Sequence, residues 1–565
     1  MSLIEEFIRE PRIAYFSMEI ALQSDVPTYS GGLGVLAGDT MRSAADLELP
    51  MVGVTLVSRA GYFRQEIDAS GHQIEKPDWW DPRNHATLLD AAVSIQIEQR
   101  TVWVAAWLYI QRGYTGARVP IVLLETDIPN NSEADRQIAH YLYGGDQAYR
   151  LKQEVVLGIG GLRMLQALGF TIRKYHMNEG HSALLAVELM RRFAYPPEDL
   201  RPNEPACDLP RVRERCLFTT HTPVEVAQDK FPYDLVLRIL GEHLDLPAIQ
   251  HLSGPDVMNM TQLALKLSEF VNGVAERHAE VSRKMFPEQP VHAITNGVHA
   301  LTWTSREFAD LYTRHLPRWR HEPQLLIRAD LLPDEAVWQA HQARKLALVQ
   351  LVKSVTGVAL DPAVPIIGFA RRMTAYKRPD LLFTDRNRLR SIARNQPFQI
   401  VLAGKAHPRD DAGKRLIADL HTHMRELSPT ISMAYLPNYN MDIALAMVSG
   451  SDLWLNTPLI PLEASGTSGM KAAFNGVPSL SVLDGWWVEG CIEGVTGWAV
   501  GESSDQSSSQ DHEVLYKKLE RTVLPLFHDD RAGWIKVMKG AISKNASYFN
   551  SHRMMRRYVS EAYIR

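Results

Sequence analysis

Two spacings of apolar residues alternate along this chain. The short continuous runs "RIAYFS" (12–17), "MVGVTLVS" (51–58), "VPIVLLE" (119–125), "LFTT" (217–220) and "HAIT" (292–295) predict buried strands. Between them, "VLAGDTMRSAADLEL" (35–49) and "TQLALKLSEFVNGVAERHAEVSRKMF" (261–286) carry the period of helices. The alternation restarts after about residue 360 with "PIIGFA", "FQIVLAG", "ISMAYL", "SDLWLN" and "PSLSVL". A helix over 331–357 bridges the two series. This pattern predicts an α/β protein of two doubly wound sheets. The expected domains are 1–340, 341–540, and a C-terminal helix over 541–565 packing back on the first. The polar "GESSDQSSSQDHE" (501–513) predicts a surface loop.

Open α/β sheets bind ligands beyond the carboxyl ends of their strands. Six polar clusters fall at such ends: "NEGH" after "KYHM", "THTP" after "LFT", "NGVH" after "HAIT", "RRMTAYKR" after "PIIGFA", "GKAHPRDD" after "FQIVLA", and "NTPLIPLEASGTSGMK" after "DLWL". Spread over both halves, they predict a cleft between two sheets with the chemistry at its rim.

Bulk properties narrow the setting. A length of 565 residues suggests more than one domain. A net charge of −4 gives no strong field for nucleic acid or an anionic membrane. Cys207, Cys216 and Cys491 lack CxxC spacing and read as reduced thiols of a cytoplasmic protein. The charged start "MSLIEEFIREPRIAYF" argues against a secretory signal. The longest apolar run, "VWVAAWLYI", is about half a membrane span.

"EASGTSGMK" (463–471) reads as a tight loop opening a helix near Ser468–Met470, a place where backbone N–H groups bind anions. It is not a Walker motif, and the plain alternative is a capped helix with Lys471 facing solvent. "ARRMTAYKR" brings Arg371, Arg372, Lys377 and Arg378 to one strand end, with Lys405 from the next. Such convergence favours a ligand with two phosphate groups over a solvated charge run. "YSGGLGVLAG" imitates a dinucleotide fingerprint, but the next strand lacks the acidic residue. It reads better as a backbone loop approaching a phosphate or sugar oxygen. His176, Glu179 and His181 lack metal spacing, so a polar sugar site or an internal histidine is favoured over zinc. His221 at its strand end faces the cleft or bonds backbone in the core.

Taken together, these motifs resemble the α-glucan (glycogen, starch, maltodextrin) phosphorylases. "EASGTSGMK" is similar to their pyridoxal-phosphate attachment motif, and "RRMTAYKR" to their phosphate-binding segment. "YSGGLG", "NEGH", "THTP", "TNGVH", "GKA" and "NY" follow in the family's order, and the resemblance runs from about Glu19 to Gly501. It implies two Rossmann-like domains facing a central cleft, the B-type glycosyltransferase architecture. It implies that Lys471 holds pyridoxal 5'-phosphate as a Schiff base, with Arg371, Gly466 and Thr467 on the cofactor's phosphate. Arg372 and Lys377 would bind the substrate phosphate, with a backbone N–H of Gly32. Leu33, His221, Asn296, Glu463, Ser465 and Gly466 would surround the glucose, with Glu179 and His181 near the sugar. Tyr439 and Lys405 match cleft residues close to cofactor and phosphates. Thr374 stands where the animal enzymes have histidine, and Ala21 where they have a tyrosine. "THTPVEVAQDKF" differs after its proline from the compact members. These departures bear on acceptor recognition more than on the chemistry.

The activity implied is reversible phosphorolysis of α-1,4-glucan or maltodextrin ends by inorganic phosphate to α-glucose 1-phosphate, with retention. The substrate phosphate would protonate the leaving oxygen, with the cofactor phosphate behind it, because a phosphate's second pKa is near 6. No carboxylate pair is then needed, unlike in a glycosidase. No metal, nucleic acid or membrane partner is expected, and a homodimer is left open. Two alternatives stand beside this reading: a nucleotide-sugar-dependent glucosyltransferase resembling glycogen synthase, and a glucan-binding protein without turnover.

Overall fold

The computed structural model describes residues 4–8, 12–201, 206–224, 228–241, 244–501 and 510–564. Residues 225–227 of the divergent stretch after the proline of "THTPVEVAQDKF", and most of the loop over 501–513, lie outside them. Within that loop stretch, Asp511–Glu513 begin a helix, Asp511–Lys518, instead of continuing the loop.

The first sheet contains β1 (Ile13–Ser17), β2 (Met51–Leu56), β3 (Thr87–Ile97), β4 (Arg100–Arg112), β5 (Arg118–Glu125), β6 (Lys174–Asn178), β7 (Cys216–Thr219), β8 (Phe270–Gly273) and β9 (Val291–Ala293). Their order is β9-β8-β7-β6-β1-β2-β5-β4-β3. Pairing is parallel from β9 to β5 and antiparallel through β4 and β3. The second sheet contains β10 (Ile366–Ala370), β11 (Gln399–Ala403), β12 (Met433–Leu436), β13 (Leu453–Asn456), β14 (Ser479–Val482) and β15 (Gly497–Val500). It is parallel throughout, in the order β12-β11-β10-β13-β14-β15, the doubly wound pattern.

Two expectations need correction. The segment 261–286 is not one helix: helices Met260–Lys266 and Glu276–Met285 flank β8. Strand β8 is buried along its whole length, so it has no polar alternation to separate it from the neighbouring helical pattern. The apolar run 102–110 lies in β4, part of an antiparallel extension not foreseen from the sequence. Among the described residues no helix is long and apolar enough to cross a membrane.

Four helices matter for the site: α1 (Gly32–Asp46), α2 (Asp334–Thr356), α3 (Ser468–Ala473) and α4 (Ser551–Tyr558). Helix α2 leads into the second sheet and ends at Gly357, whose φ of +75° suits glycine. A hairpin of residues 64–67 and 73–76 reaches from the β2 loop to the second sheet. There Gln65 Nε2 donates to Gly404 O (2.8 Å), and Gln73 Nε2 to Ala406 O (2.9 Å). The Ala406 N–H donates back to Gln73 Oε1 (3.0 Å).

Helix α4 lies against the first sheet and α1. Tyr563 Oη is 2.8 Å from His176 Nδ1, and Tyr558 Oη takes the Asn272 amide (3.0 Å). Asp46 Oδ2, at the end of α1, bonds His299 Nε2 (2.8 Å) and His552 Nε2 (3.0 Å). Burial alone would raise the Asp46 carboxyl, but the two imidazoles outweigh it and hold it well below its usual range.

Candidate active site

In the second sheet the strand order reverses between β10 and β13, so the loops after these strands border the crevice where such sheets bind ligands. The loop after β10 carries Arg371, Arg372 and Lys377, and the one after β13 carries Glu463–Thr467. Arg371 Nη2 and Lys377 Nζ converge on Glu463 Oε2 at 2.7 and 2.6 Å, and Arg371 Nη1 reaches Asn456 Oδ1 at 2.9 Å. Burial would raise the Glu463 carboxyl, but the two cations more than offset it and hold it below its usual value. Arg378 turns away to Thr457 O, Pro458 O and Asp511, so it does not join the cluster. Arg372 is different. The residue is exposed, and among the described residues its guanidinium makes no hydrogen bond or ion pair. Tyr62, Tyr376, Glu19 and Tyr143 surround it.

Lys471 does not face solvent, so the plain capped-helix reading fails. Its side chain is buried, with Nζ 3.8 Å from the centre of the Trp303 ring. Among the described residues it has no hydrogen-bond acceptor, and burial pulls its amine down to about 8. Helix α3 has only six residues, so it offers the free N–H groups of its first turn more than a long macrodipole. Gly466 needs its φ of +83°, and a Cβ there would lie 3.2 Å from Glu463 Oε1. Thr467 is the N-cap, but its hydroxyl makes no capping bond. The Ser465 hydroxyl is buried without a partner. Lys405 donates to Phe63 O (2.9 Å), and burial lowers its amine to about 8. Tyr439 sits beside Tyr29 and Arg371, and burial raises its phenol.

The first sheet has its own reversal at β1 and β6, where Asn178 Nδ2 donates to Ser17 Oγ (3.1 Å). After β6, Glu179 holds φ +71° and ψ 167°, a region that costs a non-glycine residue about 1–3 kcal/mol. Its carboxylate accepts from His221 N (2.8 Å), Thr222 Oγ1 (3.0 Å) and Gly180 N (3.1 Å), while burial raises its pKa. His221 Nε2 lies 2.6 Å from Asn178 Oδ1, so this histidine is bonded to a side chain, not to backbone through its ring. Burial takes both His221 and His181 down to about 3, so both rings are neutral at pH 7. His181 Nδ1 and Asn296 Oδ1 are buried without partners. A Cβ on Gly32 would meet nothing within 4 Å, whereas one on Gly34 would lie 2.6 Å from Glu19 Oε2. Packing therefore accounts for Gly34, and open space lies above Gly32 and the half-buried Leu33.

His176 is internal: its two ring nitrogens bond Tyr563 Oη and Thr219 Oγ1, each at 2.8 Å. Among the described residues one group has metal-like spacing, Asp46 with His299 and His552. The hydrogen bonds on the far side of its two imidazoles do not suit a metal. His299 Nδ1 takes the Thr302 N–H (3.3 Å), leaving its proton on Nε2 toward Asp46, and His552 Nδ1 has no partner.

The two sheets meet at these loops. Arg372 Nη2 lies 4.0 Å from where a Gly31 Cβ would stand, and Lys471 from one side covers Trp303 from the other. Sequence reasoning missed Glu19, Tyr143, Trp303 and Asp484, which accepts the Glu463 N–H (2.8 Å). Glu19 and Asp484 each lie two residues past a strand end, so the strand-end rule alone marked them; nothing local marked Trp303.

Two facing α/β sheets, with paired and unpaired cations at the reversal point of the second and hydrogen-bonded polar side chains at that of the first, define an enzyme of the two-sheet, central-cleft class. Over residues 19–104 and 246–497 the chain matches the family described as carbohydrate phosphorylase, and it belongs to that family. It is 39% identical over 599 residues to the maltodextrin phosphorylase of Thermococcus litoralis, covering 98% of this chain and 70% of the relative. It is 34% identical over 619 residues to the glycogen phosphorylase of Aquifex aeolicus, covering 100% and 87%. Identity to the glycogen phosphorylase of Mycobacterium tuberculosis is 35% over 636 residues, covering 98% and 70%.

Proposed function

We propose that this protein is an α-1,4-glucan phosphorylase that releases α-glucose 1-phosphate from glycogen or maltodextrin ends, with pyridoxal 5'-phosphate as cofactor. The observation that carries the reading is the buried, unpaired amine of Lys471 over Trp303. A desolvated amine near pH 8 is a competent nucleophile toward an aldehyde. Beside it, the Thr467 hydroxyl, which makes no capping bond, and the glycine backbone at Gly466 leave polar groups for a phosphate. The residues present therefore fit the group.

In this reading Lys471 tethers the cofactor, while Gly466, Thr467, Arg371 and Lys405 surround its phosphate and Tyr439 borders it. The bound cofactor supplies a phosphate able to exchange a proton near neutral pH. Arg372 and the Gly32 N–H hold the substrate phosphate, and Lys377 adds a second cation. Glu463, already ionised between Arg371 and Lys377, accepts from a sugar hydroxyl, and Ser465 and Asn296 offer their unused polar atoms to others. Neutral His221, with Glu179 and His181, faces the sugar, and Leu33 is an apolar border. We place the domain limits at 1–340, 341–540 and 541–565, and the protein in a reducing cytoplasm, where its three free cysteines are stable.

The test is a spectrum of the purified protein before and after denaturation, with glucose 1-phosphate release from maltodextrin. A cofactor band and phosphate-dependent release are expected. Release that depends on a nucleotide sugar, or none at all, would overturn the reading.

A further inference from the structure

Glu19 lies two residues past the end of β1 and is 1% exposed. Its carboxylate accepts from four groups. The Ser30 and Gly31 N–H groups reach Oε2 at 2.5 and 3.3 Å, Tyr143 Oη reaches Oε1 at 2.9 Å, and Ser30 Oγ lies 3.1 Å from both oxygens. Two residues on, the Ala21 N–H donates to Gly34 O (2.8 Å). Residues 19–21 thus grip the start of α1 from both sides. Gly34 is what admits the carboxylate, since a Cβ there would stand 2.6 Å from Glu19 Oε2.

The N–H groups of Ser30 and Gly31 are taken by Glu19. Those of Gly32 and Leu33, the next in line, make no hydrogen bond among the described residues. They are open donors at the start of a fifteen-residue helix, with the unpaired Arg372 guanidinium close to Gly31. A carboxylate beside an anion site repels the anion, so its charge alone works against binding. What it contributes is order: a glycine-rich turn is costly to fix, and four bonds to one buried group fix it. Tyr143 is itself held on two sides. Arg150 lies 4.2 Å over its face, and its ring meets His181 edge-on at 5.7 Å.

We propose that Glu19, anchored by Tyr143, is a positioning residue for the substrate phosphate, holding the Ser30–Gly31 backbone so that the Gly32 and Leu33 N–H groups stand beside Arg372. The inference rests on the proposed function and adds residues to its phosphate site. It also links the phosphate side to the sugar side, because Tyr143 touches both Glu19 and His181.

The test measures steady-state kinetics and calorimetric binding of inorganic phosphate for the cofactor-loaded wild type, Glu19→Gln and Tyr143→Phe. Each variant loses a charge-assisted contact, so KM and Kd for phosphate are expected to rise about tenfold. KM for maltodextrin should stay within about twofold, and kcat should fall far less than phosphate affinity. If Glu19 acted through charge alone, Glu19→Gln would instead tighten phosphate; that result, or unchanged phosphate constants in Tyr143→Phe, overturns the inference. Tyr143→Phe keeps the ring and its packing, so it carries the test should Glu19→Gln not fold. A wild type without phosphate-dependent release would overturn the proposed function and this inference with it. An active wild type with unmoved variants overturns this inference alone.

Discussion

Lys377 Nζ sits 2.6 Å from Glu463 Oε2, on the same oxygen that Arg371 takes at 2.7 Å. Arg372, between these two cations in sequence, has no such partner. Two adjacent arginines therefore do different work. Arg371 neutralises a buried carboxylate that would otherwise be costly, while Arg372 is a free charge in the cleft.

The first prediction follows from that asymmetry. Arg372→Ala should leave the melting temperature unchanged and weaken phosphate use by about 2–4 kcal/mol of transition-state stabilisation, as for one lost oxyanion donor. Lys377→Ala should do both, losing activity and also stability, because Glu463 keeps only Arg371. Kinetics in phosphate with thermal melts of both variants check this. Equal melting losses would remove the distinction.

Lys471→Ala should abolish covalent cofactor retention and most activity. Borohydride treatment of the wild type should place a label on Lys471 and leave substantial phosphorolysis, since a glucan has no amine to exchange with the lysine. Peptide mapping followed by assay decides. A label on another lysine would show the attachment site to be wrong.

Stability should fall with acid. Burial holds His176, His181 and His221 near 3 and His278 near 4, against about 6.5 unfolded. Their folded pKa values are depressed, so the folded chain binds fewer protons. The contribution is complete above about pH 6.5 and is lost as pH falls toward 4 and 3. Four such rings give on the order of 5 kcal/mol less stability at pH 5.5 than at pH 7. Denaturant melts across that range measure it, and a flat profile would contradict the burial.

Asp46→Ala should destabilise by about 3–5 kcal/mol, the usual cost of breaking a buried charged contact. Chelator dialysis of the wild type should change neither melting temperature nor turnover. Loss in chelator with recovery on adding a divalent ion would assign a metal to Asp46, His299 and His552.

Much of this was legible in the sequence. The strands carrying the site are short apolar runs closed by polar clusters, and that punctuation marks strand ends directly. Strand β8 was lost because an all-buried strand between two helices has no alternation of its own. The residues at the strand ends were found one by one, but not their pairing. Lys377 and Glu463 are 86 residues apart, and only the reversal between β10 and β13 brings them together. Chain pattern marked Arg371 and Arg372 as equals; the fold separates them.

The seat of α4 also bears on how this chain is made. Asp46, Thr219 and Asn272 belong to the first sheet and its helix, yet His552 and Tyr558 complete their hydrogen bonds. During synthesis, at about 5–20 residues per second, the early half waits tens of seconds for those partners. A nascent chain arrested before residue 551 should therefore expose the carboxyl ends of β7 and β8 to protease, and those ends should become resistant once α4 has emerged from the ribosome.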